Sequence, residues 1–455
     1  MRRRVRSDLV GLALLVTGCT QWQRVGSEEP TRPEAAVPQL FDASVAYREM
    51  GFLVAGPQLP FVGSVRYLAT AGPDSTLCVL SLSLANQALS FRRAGNLFVA
   101  EYRVELAFRR PDSTAASVQV TRDETVRVGG FRETLRSDES VLFQQFVAVA
   151  PGDYVVSVLV RDRNTPRFGR QDQTQKVPRF ATAGLSSPLP VYEGTGRRLL
   201  SELPRVLLNP RATLPYGGDS LRFYVEAYGV ASGTRIAARA VDPAETVVWR
   251  DTVTLSGSGP LASAVLVLAP SQMPLGRANL KVEIVGRPDT AVAPLLVSLS
   301  DQWVITNLEQ MASLLRYFER QDWVAKLRDA PPAERSQVWR DFWKETDPMP
   351  ITPENEALAA YFRRVQLAST RFQEEGGPGW LTDRGEVFIT LGEPDEVLDL
   401  GSDMNQGAAR VIRWTYNTDR LVLVFQDQTG FGRFRLVPAS RAEYQRVLAR
   451  VRRKE

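Results

Sequence analysis

The chain has 455 residues, of which 44% are hydrophobic and 24% charged, a composition typical of an ordinary folded protein of roughly three domains. No histidine occurs, which excludes Ser-His-Asp and Cys-His nucleophiles, histidine general bases and nearly all zinc or non-haem iron sites. Of the formal charge of +5, four arginines and one aspartate within residues 1–18 supply +3. The remainder is close to neutral, so we expect no nucleic-acid partner.

The first 19 residues have the order of a bacterial lipoprotein export signal. Four arginines precede a short apolar run from Leu9 to Val16, and Val16-Thr17-Gly18-Cys19 resembles a lipobox. The run is too short for a stable transmembrane helix. We therefore predict a signal peptide at 1–18 and an acylated Cys19 that anchors the protein in a lipid bilayer. Because Thr20 stands where inner-membrane lipoproteins carry aspartate, we expect the outer membrane, with the protein facing the periplasm.

Residues 19–40 are polar and contain three prolines, a composition that predicts a disordered tether. The second of the two cysteines, Cys78, lies in a segment with the pattern of a strand, Thr76 to Leu82. If Cys19 is acylated, Cys78 has no disulfide partner within the chain. We expect a buried, unreactive thiol.

Residues 41–180 consist of short runs with period-two alternation, such as 98–106, 118–128 and 141–149. A Pro-Gly turn at Pro151 leads into a strand that begins at Tyr154, as at the tyrosine corner of immunoglobulin-like sandwiches. The pattern predicts a first antiparallel β-sandwich. Any other antiparallel sheet with a Pro-Gly turn is the alternative.

A stretch rich in Pro, Ser and Gly, 181–204, predicts a linker. Residues 205–300 again have strand patterns, with the clearest strands at 221–228, 246–255, 264–268 and 280–285. Their spacing predicts a second sandwich of about 95 residues.

After residue 300 the hydrophobic period changes from 2 to 3.6, which predicts three helices within 301–375. Thr352, just before Pro353, is a candidate helix cap. Trp323, Trp339 and Trp343 recur at helical spacing, so we expect them in the core rather than at a recognition surface.

The most specific segment of the chain runs from Gly376 to Val397 and contains Gly379-Trp380-Leu381-Thr382-Asp383 followed by Gly392-Glu393-Pro394-Asp395. With an upstream Phe-Trp-Lys segment at 342–344, it resembles the signature of GWxTD domain-containing proteins, a family of exported bacterial proteins without an assigned activity. The motifs cover about 307–437 and leave the β-rich half uncovered. The residues that carry the resemblance are Gly379, Trp380, Thr382, Asp383, Gly392, Pro394 and Asp395.

The glycines of the motif predict a turn that leads into a strand, in which Val387, Ile389 and Leu391 share one apolar face and which Gly392 ends. Pro394 and Asp395 predict a first helical turn. Three strands of an antiparallel meander follow, at 411–416, 421–426 and 434–437. The fold class we predict is therefore multidomain and β-rich plus α+β, with two Ig-like sandwiches, a helical segment that packs with an α+β GWxTD domain at 376–440, and a basic helix at 441–455 whose end is solvated.

Five acidic residues of this region are candidates for chemistry, since paired carboxylates can hydrolyse glycans or hold Ca²⁺. They are Asp383, Glu386, Glu393, Asp395 and Glu396. Turn and cap roles explain each of them without a substrate, and no Walker A, dinucleotide or EF-hand pattern occurs. We therefore assign no catalytic residue, metal or cofactor.

Two hypotheses of function remain. The first is an anchored, non-catalytic interaction or scaffold module, in which Trp380 and the turn acids form a docking surface for an envelope protein or a cell-wall polymer. The alternative is a carboxylate-based envelope hydrolase acting on glycan, with Asp383 and Glu386 or Glu393 as acid and base.

Overall fold

The computed structural model describes residues 43–136, 141–180, 183–299, 305–306, 308–351, 355–374, 378–401, 410–427 and 429–451. Within them the chain is mostly β, with a C-terminal α+β region, so the predicted fold class is confirmed. The predicted signal peptide, Cys19, the tether and the Thr352 cap lie outside the described residues, as do residues 452–455 of the predicted basic helix.

The first sandwich consists of two antiparallel sheets whose apolar faces meet. One sheet has the order β1-β2-β3-β7, with β1 Leu53–Val54, β2 Val62–Ala69, β3 Thr76–Leu84 and β7 Val141–Val149. The other has the order β4-β5-β8-β9, with β6 also paired to β5, and its strands are β4 Arg92–Ala94, β5 Leu97–Arg109, β6 Ala116–Val128, β8 Gly152–Asp162 and β9 Phe168–Val177. Alternate residues of both sheets form one buried apolar cluster, as period-two patterning requires.

Two local predictions for the first sandwich are confirmed. The hydroxyl of Tyr154 donates a hydrogen bond of 3.0 Å to the carbonyl of Ala150, which is the predicted tyrosine corner. Cys78 is a free, buried cysteine in β3, and burial raises the pKa of its thiol to about 12. Two short helices, α1 Ala43–Glu49 and α2 Phe131–Thr134, were not predicted.

The second sandwich also pairs two sheets. The first has the order β12-β11-β14-β18-β17 with β10 on β14, and comprises β10 Gly184–Leu185, β11 Leu189–Gly196, β12 Arg205–Leu208, β14 Leu221–Tyr228, β17 Ser256–Ser258 and β18 Leu261–Leu268. The second has the order β13-β20-β19-β15-β16, with β13 Thr213–Pro215, β15 Arg235–Val241, β16 Val247–Thr254, β19 Gly276–Ile284 and β20 Thr290–Ser298. The loop predicted at 181–204 is wrong for β10 and β11, because Leu189 and Val191 are buried against the first sandwich.

The outer face of the β1-β2-β3-β7 sheet packs on the β11-containing sheet through a small apolar cluster that includes Leu77, Val79 and Leu189. Beside it lies a fully buried ion pair between Arg197 and Glu226. The two sandwiches therefore share a buried interface that contains apolar side chains and an ion pair.

The C-terminal unit packs helices on the four-stranded antiparallel sheet β21-β22-β23-β24. Its elements are α3 Leu308–Leu314, α4 Gln321–Asp329, α5 Arg335–Thr346, α6 Glu356–Arg371, α7 Asp383–Leu391, β21 Glu396–Asp399, β22 Arg410–Tyr416, β23 Leu421–Asp427, β24 Phe434–Leu436 and α8 Pro438–Val451. Among the described residues between 305 and 374 there are four α-helices where three were predicted; α4 was missed. The predicted meander is confirmed. In the described part of the chain, no helix has the length and apolar character needed to cross a membrane.

One buried apolar cluster extends from the second sandwich through these helices to the C-terminal sheet. Trp339 joins the two parts, because its indole Nε1 donates a hydrogen bond of 3.1 Å to the carbonyl of Leu299, one residue after β20. Trp339 is buried, as predicted, whereas Trp323 and Trp343 are only partly buried against the same cluster. The C-terminal unit is thus built on the last strand of the sandwich.

Candidate functional site

The motif forms a tight turn between α6 and α7. Residues Gly379–Leu381 make one 3₁₀ turn, and Thr382 caps the N-terminus of α7, since its Oγ1 accepts a 3.0 Å hydrogen bond from the amide of Gly385. A Cβ on Gly379 would lie 2.1 Å from the carbonyl oxygen of Ala368 in α6. A Cβ on Gly385 would lie 2.0 Å from the carbonyl oxygen of Gly379. Both glycines are present because backbone packs against backbone here.

The predicted strand at 387–391 is wrong: these residues belong to the helix α7. Val387, Phe388 and Ile389 are all buried, because the short helix is enclosed by α6, α8 and the sheet. A helix that is apolar on most sides has no 3.6 period to reveal it. The local signal that identifies it is the Thr382 cap followed by acidic residues in the first turn.

After the helix, a strand occurs where a helical turn was predicted. Gly392 ends α7 with a positive φ of 83°, and the predicted helical turn at Pro394 and Asp395 leads instead into the strand β21. A carboxylate oxygen of Asp395 accepts a 2.6 Å hydrogen bond from the amide of Asn417, at the turn between β22 and β23. The Tyr416 hydroxyl donates to the carbonyl of Gly392 at 3.0 Å. The motif therefore joins helix and sheet.

Trp380 is 5% exposed and belongs to the buried cluster of the C-terminal unit. The guanidinium of Arg316 lies 5.8 Å from its ring centre, a cation–π contact. The indole Nε1 is buried and has no hydrogen-bond partner in the described part of the chain. The expectation that Trp380 forms part of a docking surface is wrong, because its ring faces the interior.

Asp383 and Glu386 are brought together by Arg441 of α8. A carboxylate oxygen of Asp383 lies 2.7 Å from the Arg441 guanidinium and also accepts a 2.7 Å hydrogen bond from the amide of Leu436. Glu386 lies 3.5 Å from the same guanidinium. Burial alone lowers the pKa of Arg441, but the hydrogen bond and charge of Asp383, together with the charge of Glu386, raise it overall. The two acids fasten the start of α7 to β24 and α8.

The remaining acidic candidates lie apart from this pair. Glu393 forms an ion pair of 2.6 Å with Arg371, and Glu396 is exposed on the edge strand β21. No group of three acidic, cysteine or histidine side chains within the described ranges is placed to hold a metal ion.

A second cluster lies at the far end of the sheet, at a turn that the sequence indicates between the last two strands of the meander, but sequence reasoning missed the exposed aromatic side chain that this turn carries. Asp427 accepts hydrogen bonds from the amides of Thr429, Gly430 and Gly432, at 3.1, 3.1 and 2.7 Å, and from the Thr429 hydroxyl at 3.0 Å. These bonds hold a loop in which Phe431 is 72% exposed. The Asp-x-Thr-Gly-x-Gly spacing is the signal that could have identified it, because Asp favours such self-capped turns.

The GWxTD domain family model matches residues 289–446, from one residue before β20 into α8. The chain therefore contains a GWxTD domain. The match begins earlier than the motifs alone suggested, which agrees with the Trp339 contact to the end of β20. No curated protein matches the chain.

Solved structures similar to this GWxTD protein include a tetra-tandem repeat from the extending region of a large adhesion protein, with 13% identity over 53% of this chain and 50% of that one and a TM-score of 0.18. A BSP domain of a biofilm associated protein has 9% identity over 56% and 54%, with a TM-score of 0.16. Dimeric latent PorU from Porphyromonas gingivalis has 10% identity over 51% and 20%, with a TM-score of 0.23. The chain spans about half of the first two and a fifth of the third, and TM-scores this low support no inference.

Proposed function

We propose that this GWxTD protein is a lipid-anchored envelope lipoprotein whose folded part is a non-catalytic interaction or scaffold module. The observation that supports the proposal most directly is the use of the motif acids. Asp383 is engaged by the amide of Leu436 and by Arg441, and Asp395 by the amide of Asn417. Carboxylates bound in this way hold secondary-structure elements together.

The anchor is Cys19, acylated after removal of residues 1–18, and the residue that follows it favours the outer membrane, facing the periplasm. Metabolic labelling with a radioactive fatty acid tests this step. We expect label in the wild-type chain and none in Cys19→Ser. Incorporation that survives Cys19→Ser would refute the anchor, and Cys78→Ser is the matched control, because that thiol is buried.

The partner surface we propose is the end of the C-terminal sheet that carries Phe431 and Leu400. These side chains are 72% and 58% exposed. The amide of Leu400 donates a hydrogen bond to the carbonyl of Val411 in β22. At the same end of the sheet, Arg410 of β22 pairs with Asp427 of β23, which begins the loop that carries Phe431. An aromatic side chain on a loop fixed by Asp427 loses little conformational entropy on binding, so it suits an envelope protein or a cell-wall polymer.

A pull-down from native membranes tests this surface. The wild-type protein is compared with Phe431→Ser/Leu400→Ser and with Phe131→Ser/Leu135→Ser, which removes an apolar pair of similar exposure on the first sandwich. We expect a partner recovered by the wild type and by the second variant and lost with the first. An identical set of proteins and polymers with all three would exclude this surface.

One observation favours a second function, the glycan hydrolase. Asp383 and Glu386 meet at Arg441 and keep about a fifth of each side chain exposed. Release of reducing ends from purified cell-wall glycan separates the two functions. Release that disappears in both Asp383→Asn and Glu386→Gln, with the fold retained, would replace the scaffold proposal. A wild-type protein that releases none would end the hydrolase alternative.

A further inference from the structure

An exposed apolar patch lies at one end of the first sandwich. Phe131, which begins α2, and Leu135, which follows it, are 62% and 58% exposed and share one face of the helical turn, four residues apart. The ring of Phe98 lies 6.0 Å from that of Phe131, and the neighbouring Leu97 is also exposed. Apolar side chains grouped on a surface in this way mark an interaction site more often than isolated ones do.

Basic side chains border this patch. Arg92 and Arg93 are exposed on β4, next to Leu97 in the hairpin, and Arg132 is exposed within α2. Glu133, the acidic residue of α2, is engaged in capping the amide of Gly130 at 2.9 Å. Aromatic and aliphatic side chains flanked by arginines are typical of segments that lie in the headgroup region of a bilayer.

The patch lies at the end of the sandwich where the described chain begins. In the sheet, Val62 at the start of β2 pairs with Ser83 near the end of β3, and Leu84 pairs with the start of β7. Tyr47 of α1 is buried with Val62 at this end. The side chain of Asn86, two residues after β3, donates a 2.8 Å hydrogen bond to the Glu133 carbonyl of α2. Helix α1 and the patch therefore lie at the same end of the first sandwich.

The chain length before α1 allows contact with the anchoring membrane. Cys19 precedes Ala43 by 24 residues, and 24 residues span at most about 85 Å when fully extended. The proposed anchor thus holds the patch within reach of the bilayer, where an apolar surface of moderate size supplies the second attachment that stable membrane contact requires.

We propose that this patch, formed by Leu97, Phe131 and Leu135 with its bordering arginines, docks on the surface of the lipid bilayer and inserts Phe131 and Leu135 between the headgroups. This inference rests on the proposed lipid anchor, which brings the patch to the membrane. The attachment confines one end of the first sandwich to the membrane surface.

Vesicle flotation of the mature chain carrying Cys19→Ser tests the docking without any acyl chain. The vesicles contain phosphatidylethanolamine and phosphatidylglycerol, with phosphatidylcholine vesicles as the uncharged arm, at lipid concentrations up to several millimolar. We expect the protein to float with the first set and less with the second. Phe131→Ser/Leu135→Ser should reduce its partition by about tenfold or more, because both apolar side chains are lost from the interface.

The matched control is Leu199→Ser/Leu203→Ser, a pair of similar exposure between β11 and β12 of the second sandwich. It should float like the parent chain, and circular dichroism verifies that both variants are folded. Equal flotation of parent and Phe131→Ser/Leu135→Ser, including none by either, would overturn the docking. The protein in this experiment carries no acyl chain, so the result does not depend on the lipid anchor. Flotation therefore tests the docking alone, and fatty-acid labelling of Cys19 tests the anchor, so a failure of either proposal can be told from a failure of the other.

Discussion

At Gly385 a single hydrogen atom in place of a methyl group allows α7 to pack on the turn that precedes it. Intrinsic propensity favours alanine over glycine inside a helix by about 0.5–1 kcal/mol. Packing opposes it, because the added Cβ would lie 2.0 Å from the Gly379 carbonyl oxygen and 2.9 Å from the Trp380 Cα. Both atoms belong to the backbone, so neither can move away cheaply, and packing outweighs propensity.

We therefore predict that Gly385→Ala lowers the free energy of unfolding by about 1–3 kcal/mol, the usual cost of overpacking. The midpoint of urea denaturation of the full chain measures it. Gly56→Ala is the control, because a Cβ there meets nothing within 4 Å. A Gly385→Ala protein as stable as the wild type would show that the turn and helix separate easily.

The ionisation of the Asp427 carboxyl makes the stability of the fold depend on pH. Burial raises the pKa of its carboxyl, but the hydrogen bonds from Gly432, Thr429 and Gly430 hold it below its usual value overall. A carboxyl with a lowered pKa in the folded state stabilises the fold above its unfolded pKa of about 3.9. That contribution is lost as the pH falls through the folded pKa.

We expect Asp427→Asn to be less stable than the wild type at pH 7 by about 1–3 kcal/mol, since Asn cannot accept at both oxygen positions. The difference should shrink as the pH falls from about 5 to below 3. Urea midpoints across that range measure it. A difference that stays constant with pH would assign the effect to packing rather than to ionisation.

At the scale of elements, α7 shows where a sequence pattern is ambiguous. Val387, Ile389 and Leu391 alternate as in a strand, yet the segment forms a helix because its cap and its neighbours favour one. Thr382 accepts from the Gly385 amide, and its hydroxyl donates to the Gly379 carbonyl at 2.7 Å. One side chain thus ends the 3₁₀ turn and begins the helix.

Thr382→Val, which keeps the shape and removes the hydroxyl, should cost about 1 kcal/mol of stability, the value of a helix N-cap. Thr382→Ser keeps the hydroxyl and should lose only a small part of that. Thermal denaturation followed by circular dichroism compares the two. If Val and Ser variants melt together, the hydroxyl is not what caps α7.

Regular hydrophobic alternation predicted several elements correctly, whereas helix caps and the burial of a short helix on all sides were not recognised from the sequence. The strands β5, β7, β22 and β23 follow from alternation, because one face of each is more buried than the other. Strand β14 is buried on both faces, and its β-branched and aromatic residues indicate it instead. Strand β11 was missed since Pro190, Gly194 and Gly196 resemble loop residues. The partners of the motif carboxylates are distant in sequence: Leu436 lies 53 residues from Asp383, and Asn417 lies 22 residues from Asp395, so no local pattern could indicate them.

At the scale of the whole molecule, one polar cluster joins the two sandwiches. Arg197 makes two hydrogen bonds to Glu226, of 2.9 and 2.8 Å, and a third of 2.6 Å to the Ala69 carbonyl of the first sandwich. The hydroxyls of Tyr224 and Tyr228 donate to the two oxygens of Glu226 at 2.9 and 2.7 Å. Every oxygen of this buried carboxylate is therefore compensated.

Removing either charge leaves the other one buried without a counter-ion. We predict that Arg197→Met and Glu226→Gln each cost about 3–5 kcal/mol, and that the double variant costs less than their sum. Arg239→Met and Glu283→Gln, at a partly exposed pair of 2.9 Å, should each cost less than about 1 kcal/mol. Urea denaturation of all variants measures the difference. Equal costs at the two pairs would mean that the cluster does not join the sandwiches.

The sequence alone determined the GWxTD domain, the β-rich class, the tyrosine corner and the buried Cys78, because each follows from a local motif or from strand patterning. It also supports the predictions of a signal peptide, an acylated Cys19 and a tether, which lie outside the described residues. Only the tertiary structure decided that α7 is a helix, that Trp380 faces the interior and that the motif acids hold elements together. These depend on contacts between residues far apart in the chain, where packing outweighs local preference.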